Sequence, residues 1–297
     1  MNDNTLQDAQ ALLDARLSDT PPSRRTALKV AAGIGFAASV LPVAAQTVVA
    51  TSSDGLLAGR ITIDVNGYAM PAYRSAPVGA KNAPVVLVVP EIFGVHEHLA
   101  DVTRRLAQLG YLAIAPDLMA RQGDAASFTD IGQLMAQVVS KVPDAQVMAD
   151  LDATVAWAAR NGGDTARLAI TGFCWGGRIT WLYAAHQPQV KAAVAWYGRL
   201  VGQSTALTPV HPVDLAGKLN APVLGLYGGA DTGIPLDTVE AMKTALAVGS
   251  AAAKASQFVV YPDTPHAFHA DYRPSYRKEA AQDGWKRLTQ WFKANGV

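Results

Sequence analysis

Short apolar runs rich in β-branched residues alternate along this chain with stretches of helical periodicity, and this alternation restricts the fold most. Strands alternating with helices predict an α/β fold, with a mostly parallel sheet covered by helices on both faces. The Asn66-Gly67 pair between the first two runs is typical of a tight hairpin turn. The predicted strands cover residues 61–65, 69–73, 83–89, 111–115, 168–171, 190–196, 222–227 and 257–261. The clearest helical patterns cover residues 99–109, 148–159 and 276–292.

The size and charge of the chain suit a single globular domain. It has 297 residues, of which 50% are hydrophobic, and a formal net charge of +1. We see no internal repeat, low-complexity tract or linker that would divide it, so residues 46–297 are expected to form one domain. The basic residues are scattered rather than clustered, which argues against nucleic acid as a partner and favours a small molecule or a peptide.

The first 45 residues are best set apart from the fold. Arg24 and Arg25 precede an apolar run of small residues, which resembles a twin-arginine export signal, although Ala27 stands where an aromatic residue is usual. Residues 1–45 are therefore predicted to be a signal peptide that directs the chain through the twin-arginine machinery to the periplasm. A basic helix cap or an uncleaved membrane anchor fits less well. The run is short for a spanning helix and contains glycine and proline, so we expect no stable membrane insertion after processing.

Ionisable side chains follow the predicted strands at their carboxyl ends, where α/β sheets bind ligands. The most informative of these loops is Gly172-Phe173-Cys174-Trp175-Gly176-Gly177, which contains the only cysteine of the chain. It has the form of a nucleophile elbow, a strained turn from strand to helix, with sulfur in place of the usual serine oxygen. The N-terminus of the following helix would favour the thiolate of Cys174 and direct the N–H of Trp175 at an oxyanion. The alternative is a buried cysteine in a glycine-rich turn.

Two later loops supply an acid and a base in the chain order of α/β-hydrolases, in which nucleophile, acid and histidine follow one another. Asp231 lies in YGGADTGIP and His266 lies in PDTPHAF. His266 would take the proton of the Cys174 thiol and later activate water, and Asp231 would orient the imidazole. Separately, Asp231 could be a helix cap and His266 a surface residue. Their order favours a catalytic triad.

Taken together, the motifs PEIFGVH, PDLMARQ, GFCWGG, YGGAD and PHAF resemble those of the dienelactone hydrolases (carboxymethylenebutenolidases), from about residue 61 to the end of the chain. The resemblance implies one α/β-hydrolase domain, a monomer, without a metal or an organic cofactor, that hydrolyses enol-lactones. It also implies that Glu91 lies beside the resting thiol and takes part in its deprotonation when substrate binds. The N–H of Ile92 would be the second oxyanion donor beside that of Trp175. A structural ion pair is the alternative for Glu91.

The resemblance assigns Arg121 to the binding of the substrate carboxylate. A guanidinium suits that task because its fork meets both oxygens. The family places a second arginine four residues after the histidine of the triad, where this chain has Ala270, and Arg273 follows three residues later. This departure leaves the substrate open.

Other features carry less chemistry. His96-Glu97-His98 is a poor metal site because side chains two apart diverge around a helix. The aromatic residues Trp175, Trp181, Trp196 and Tyr197 could line a pocket but are more typical of a core. Residues 119–147 could carry a lid. Two other functions stay open: a general carboxylesterase or thioesterase with an altered pocket, and a non-catalytic exported binding or thiol-redox protein.

Overall fold

The computed structural model describes residues 49–297. The predicted signal peptide, residues 1–45, lies outside the described residues. Within the described part, no helix is both long and apolar enough to cross a membrane.

The described chain forms one sheet of eight strands in the order β1-β2-β4-β3-β5-β6-β7-β8. The first two strands pair antiparallel to each other, β2 pairs antiparallel to β4, and all the other neighbours are parallel. The strands are β1 (Leu56–Val65), β2 (Tyr68–Pro77), β3 (Ala83–Val89), β4 (Leu112–Pro116), β5 (Gly163–Phe173), β6 (Val190–Trp196), β7 (Val223–Gly228) and β8 (Gln257–Tyr261). The predicted α/β-hydrolase fold, a single domain with a mostly parallel sheet, is confirmed.

Helices follow the strands as the sequence predicts. They are α1 (Glu97–Gln108), α2 (Ile131–Gln137), α3 (Asp144–Arg160), α4 (Trp175–His186), α5 (Pro212–Leu215), α6 (Leu236–Ala247), α7 (Ala251–Ala255) and α8 (Lys278–Ala294). The strands β3, β4 and β6 and the second half of β5 are almost wholly buried, which explains why they read as continuous apolar runs rather than alternating ones.

The hairpin forms at the predicted place. Asn66 and Gly67 both have positive φ, 52° and 87°, as a two-residue turn between twisted antiparallel strands requires. Both strands are longer than predicted, since β1 begins at Leu56 and β2 runs to Pro77. In both strands, more buried residues alternate with exposed ones. This alternation is a weaker apolar signal in the sequence than the continuous apolar run of a buried strand.

The excursion considered for a lid, residues 119–147, is built into the domain. Its helix α2 buries Ile131, Leu134 and Met135 in the hydrophobic core. The carboxylate of Asp144 accepts two hydrogen bonds of 2.7 Å from Arg178, a residue of α4. This segment is therefore packed on the body of the domain through apolar contacts and a bidentate ion pair.

The first described residues are tied to α1 and to the loop that precedes α8. The N–H of Thr51 donates to Oδ1 of Asp101 at 2.6 Å, and the N–H of Val49 donates to Oδ2 of Asp271 at 3.2 Å. Asp271 also binds Nδ1 of His98 at 2.9 Å and Arg105 at 3.0 Å. A single buried carboxylate thus joins three separate parts of the chain.

Candidate active site

The nucleophile elbow forms at the junction of β5 and α4. Cys174 has φ 55° and ψ −115°, a strained backbone for a residue with a side chain, and is 2% exposed. Its N–H donates to the carbonyl of Trp196 at 3.0 Å, and its own carbonyl accepts from Gly177 at 2.9 Å. These bonds fix the thiol at the end of the sheet, at the start of the helix.

The glycines of the elbow are required by close backbone approach. A Cβ at Gly172 would lie 2.2 Å from the carbonyl oxygen of Gly176, and a Cβ at Gly176 would lie 2.4 Å from that of Val89. No side chain fits at such distances. The glycine spacing around Cys174 therefore has the steric cause that the sequence suggests.

The acid and the base of the predicted triad meet at the carboxyl ends of β7 and β8. Nδ1 of His266 lies 2.6 Å from Oδ2 of Asp231, and both side chains are 1% exposed. The other oxygen of Asp231 accepts the N–H of Gly233 at 3.0 Å. The carboxylate is thus held on both sides, and it fixes the orientation of the imidazole.

The pKa of His266 depends on both Asp231 and Cys174. Burial lowers the pKa of His266, but attraction to Asp231 and to Cys174 outweighs it, so that the pKa lies well above its ordinary value. Nε2 of His266 is buried and makes no well-aligned hydrogen bond to any of residues 49–297. Cys174 is one of the two groups that raise this pKa, so the thiol lies within electrostatic reach of the ring.

Glu91 follows β3 and is 2% exposed. Its Oε2 accepts hydrogen bonds from the hydroxyl of Tyr272 at 3.1 Å and from Nη2 of Arg273 at 3.3 Å. Its Oε1 is buried and has no partner among residues 49–297. Glu91 is thus an ion-paired carboxylate with one oxygen left for a further donor.

The two predicted oxyanion donors flank this centre. Trp175 is the first residue of α4, so its N–H belongs to the helix turn that has no intrahelical acceptor. Ile92, beside Glu91, is 1% exposed in the turn after β3. Their position at the ends of neighbouring strands is the one the sequence predicts, and their role remains a proposal.

Arg121 and Arg273 differ in their surroundings. Arg121 pairs with Asp150, and its guanidinium lies 3.9 Å from the centroid of the Tyr68 ring. Arg273 pairs with Glu91 instead, and its side chain is 6% exposed. Ala270 is fully buried and carries no functional group. Arg273 is therefore the guanidinium that contacts Glu91. Arg121 remains a predicted ligand of the substrate carboxylate, and its guanidinium is held by the ion pair with Asp150.

The remaining histidines and aromatics have structural contacts. His98 binds Asp271, and His96 lies edge-on to Tyr272. The expected divergence of the two side chains is wrong, because His96 precedes α1 as its N-cap and the two rings stack with centroids 6.1 Å apart. Among residues 49–297 no group of three potential metal ligands comes together. Trp181 and Trp196 are fully buried in the core, and their indole N–H groups donate to other core residues. Trp175 is partly buried against the core.

Sequence reasoning missed Tyr272 of this site and took Tyr197 as more typical of the core than of a pocket. Tyr272 donates to Glu91, and Tyr197 packs its ring against that of His266 with centroids 5.1 Å apart. Tyr272 precedes Arg273 directly, so the dipeptide after PHAFHAD carried a signal that motif reading did not use. Tyr197 follows a buried strand and has the apolar context of a core residue.

Comparison with known proteins gives a consistent result. The profile of the Dienelactone hydrolase family matches residues 70–296. Several curated relatives carry the name "Putative carboxymethylenebutenolidase". The one from Methylorubrum extorquens is 62% identical over 281 residues, 94% of this chain and 96% of the relative. The one from Escherichia coli (strain K12) is 56% identical over 263 residues, 88% of this chain and 96% of the relative.

Solved structures agree. The crystal structure of "Putative Dienelactone Hydrolase" from Klebsiella pneumoniae is 60% identical, with a TM-score of 0.77, and covers 80% of this chain and 98% of that one. The acylaminoacyl peptidase of Pyrococcus horikoshii, 14% identical with a TM-score of 0.62 and covering 81% of this chain and 42% of that one, shares the fold alone. With a family profile over most of its length and relatives of more than half identity, this chain belongs to the dienelactone hydrolase family of hydrolases.

Proposed function

We propose that this protein hydrolyses a lactone or an activated carboxylic ester through Cys174, His266 and Asp231, by way of an acyl-thioester. The observation that carries the proposal is the His266–Asp231 hydrogen bond of 2.6 Å beside a cysteine held at a strained elbow. A nucleophile, a base and an orienting acid in this order are the parts that acyl transfer requires.

The first half of the reaction forms the thioester. The thiolate of Cys174 attacks the carbonyl carbon, and the carbonyl oxygen becomes an oxyanion that accepts hydrogen bonds from the N–H groups of Ile92 and Trp175. The carbon–oxygen bond of the ester then breaks. His266 gives a proton to the leaving oxygen, which in a lactone stays attached to the acyl group.

The second half returns the enzyme. His266, now neutral, takes a proton from water, and the hydroxide attacks the thioester carbonyl. The carbon–sulfur bond breaks, and Cys174 leaves as a thiolate. Because thiolate is a weak attacker of unactivated amides, enol-lactones and activated esters are the favoured substrates over peptides.

Glu91 and Arg273 provide a way to couple this chemistry to the substrate. At rest, Oε2 of Glu91 is bonded to Arg273 and Tyr272, while Oε1 has no partner in the described chain. A carboxylate on the substrate would compete for Arg273. The displaced Glu91 would then accept the proton of the Cys174 thiol, which turns the thiol into the nucleophile only when substrate is present. After hydrolysis of the thioester, Glu91 would return this proton to the thiolate.

We further propose that the chain acts in the periplasm after twin-arginine export, as a monomer. The location rests on the sequence of residues 1–45, and the monomer rests on the family resemblance. Fusing that segment to a reporter protein and following the reporter into the periplasm, with Arg24→Lys/Arg25→Lys as the control, tests it; a reporter that stays in the cytoplasm contradicts it.

Steady-state hydrolysis by the wild type, Cys174→Ala and Thr244→Ala tests the reaction. Thr244 is an exposed residue of α6, so its variant controls for handling. The substrates are dienelactone, an uncharged lactone and p-nitrophenyl acetate. We expect activity to fall at least about 10³-fold in Cys174→Ala alone. Preference for the uncharged substrates would favour the general carboxylesterase. Full activity in Cys174→Ala, or none in the wild type, would refute the covalent mechanism and favour a binding or thiol-redox protein.

A further inference from the structure

Tyr197 occupies a strained position next to the nucleophile. It follows β6 directly, and its φ is 37°, in the left-handed region that residues with a side chain rarely adopt. Its N–H donates to the carbonyl of Leu226 at 2.8 Å. The carbonyl of the preceding residue, Trp196, accepts the N–H of Cys174. The C=O of Trp196 and the N–H of Tyr197 belong to one peptide group, so the same peptide group binds Cys174 and anchors Tyr197 to β7.

The ring of Tyr197 is 1% exposed and faces the triad. It lies edge-on to the ring of His266, with centroids 5.1 Å apart, and edge-on to Phe268 at the same distance. These contacts fix the direction of the phenol, so its hydroxyl is pre-positioned.

The hydroxyl of Tyr197 is buried and has no hydrogen-bond partner among residues 49–297. Other buried tyrosines of this chain do have one. Tyr227 donates to the carbonyl of Gly198 at 2.9 Å, and Tyr183 donates to Asp152 at 2.9 Å. A buried hydroxyl without a partner costs free energy, and so does the backbone strain beneath it. Both costs fall on one residue beside the proposed nucleophile. A ligand-binding role would explain why the hydroxyl is retained there.

The groups around this hydroxyl indicate what it would bind. Burial raises the pKa of Tyr197 well above its ordinary value, and Glu91, Cys174 and Tyr272 raise it further while Arg273 lowers it. The phenol therefore stays protonated and can donate. Tyr272 and Arg273 are donors as well, yet both converge on the same oxygen of Glu91. Oε1 of Glu91 is left without a donor, so within the described chain this oxygen and the Tyr197 hydroxyl are both unpartnered. An anion that takes Arg273 from Glu91 would supply the acceptor that the Tyr197 hydroxyl lacks.

We propose that Tyr197 is a substrate-binding residue whose hydroxyl donates a hydrogen bond to the carboxylate of the substrate, beside Arg273. The inference rests on the proposed hydrolysis and names the part of the substrate that this residue recognises. The reacting carbonyl is the weaker candidate, because its oxyanion already has the N–H groups of Ile92 and Trp175 as donors.

The test compares Tyr197→Phe with Tyr183→Phe, a matched loss of one buried tyrosine hydroxyl away from the triad. KM and kcat are measured on dienelactone, which carries a carboxylate, and on p-nitrophenyl acetate, which does not. Binding of dienelactone is also measured by calorimetry in the Cys174→Ala background, where no turnover occurs. Tm is recorded for every variant.

We expect Tyr197→Phe to raise KM and Kd for dienelactone at least about tenfold, and to leave kcat/KM for p-nitrophenyl acetate within about threefold. Its Tm should equal or exceed that of the wild type, because an unpartnered hydroxyl is removed. Tyr183→Phe should lower Tm and leave the dienelactone KM unchanged.

Three outcomes would overturn the inference. An unchanged Kd for dienelactone in Tyr197→Phe, in an enzyme that hydrolyses through Cys174, removes this role and leaves the proposed function intact. An equal fall of kcat on both substrates assigns the hydroxyl to the oxyanion instead. A Cys174→Ala protein that binds no dienelactone excludes the carboxylate as ligand, and a wild type without any hydrolysis refutes the proposed function itself.

Discussion

Arg273 and Glu91 form a buried ion pair, with Nη2 of the arginine 3.3 Å from Oε2 of the glutamate. The two residues come from opposite ends of the domain, one after β3 and one before α8. Buried ion pairs contribute little net stability, because the desolvation of both charges offsets their attraction, but breaking one by removing a partner is costly. A pair of this kind beside the proposed triad is suited to exchange partners with an incoming anion.

Removing the guanidinium should therefore separate carboxylate recognition from chemistry. In Arg273→Lys, which keeps the charge but loses the planar fork, we expect KM for dienelactone to rise about tenfold and kcat/KM for p-nitrophenyl acetate to change by less than about threefold. Steady-state kinetics on both substrates check this. An equal loss on both substrates would contradict carboxylate binding by Arg273.

Arg121→Gln is the companion variant, since Arg121 is the arginine that the sequence assigns to the substrate. If Arg121 binds the carboxylate, its variant should also raise KM for dienelactone alone. If only the ion pair with Asp150 matters, Tm should fall while KM stays unchanged.

Asp231→Asn should weaken His266 as a base. Asp231 raises the pKa of His266, and an imidazole whose pKa is raised becomes neutral only above its ordinary value of about 6.5. The amide removes that charge, so the acidic limb of the kcat profile should move to lower pH. At the plateau, kcat should fall by about 10³–10⁴-fold, because the imidazole loses its orienting partner. A pH–rate profile from pH 5 to 9 measures both. An acidic limb at the same pH would show that Asp231 does not act on the base.

Gly176→Ala should destabilise the domain strongly. The new Cβ would lie 2.4 Å from the carbonyl oxygen of Val89, and two backbone segments cannot separate without opening the sheet. We expect the free energy of unfolding to fall by about 3 kcal/mol or more. Urea unfolding measures it, with Gly217→Ala as the control, because a Cβ there would meet its nearest atom at 3.8 Å. Equal stabilities of the two variants would contradict the close approach.

The free energy of unfolding should decrease as the pH falls below about 6.5. Burial, the nearby His98 and Arg273 lower the pKa of His96, and burial, His98 and Arg105 lower that of His269. Below 6.5 the unfolded chain protonates these histidines while the folded protein does not, so each contributes a slope of about 1.4 kcal/mol per pH unit until its own lowered pKa is reached.

His266 opposes this slope only near pH 6.5, where it is protonated in the folded protein but only partly in the unfolded chain. Well below about 6.5 it is protonated in both states and adds no slope. His269→Phe should keep the stacking on Phe173 and reduce the slope by about a third, because burial lowers the pKa of His211 as well. His186→Gln, at a half-exposed site, is the control and should leave the slope unchanged. Urea unfolding at pH 5.5 and 6.5 measures the slope of the unfolding free energy with pH. An unaltered slope in His269→Phe would contradict the prediction.

The sequence predicted the strands, their order along the chain and the elbow well, because buried parallel strands and the glycines beside Cys174 are local signals. It predicted less well the contacts made between distant loops. The neighbours of Glu91 could not be predicted from the sequence, because Tyr272 and Arg273 are distant from it along the chain and contact it only in the folded eight-stranded sheet. Tyr197 was read as a core residue because burial alone does not show where a hydroxyl points. The length of β5 was underestimated, because its first residues are polar and pair along a bulge.

The hydrogen bonds of Val49 and Thr51 bear on how the enzyme can be handled. Asp271 binds Val49 and lies two residues before Arg273, which pairs with Glu91. The start of the described chain is therefore coupled to the loop that carries Arg273. A recombinant protein that begins after Thr51 would leave Asp101 and Asp271 short of donors. Purification tags are therefore better attached at Val297, far along the sequence from these anchors.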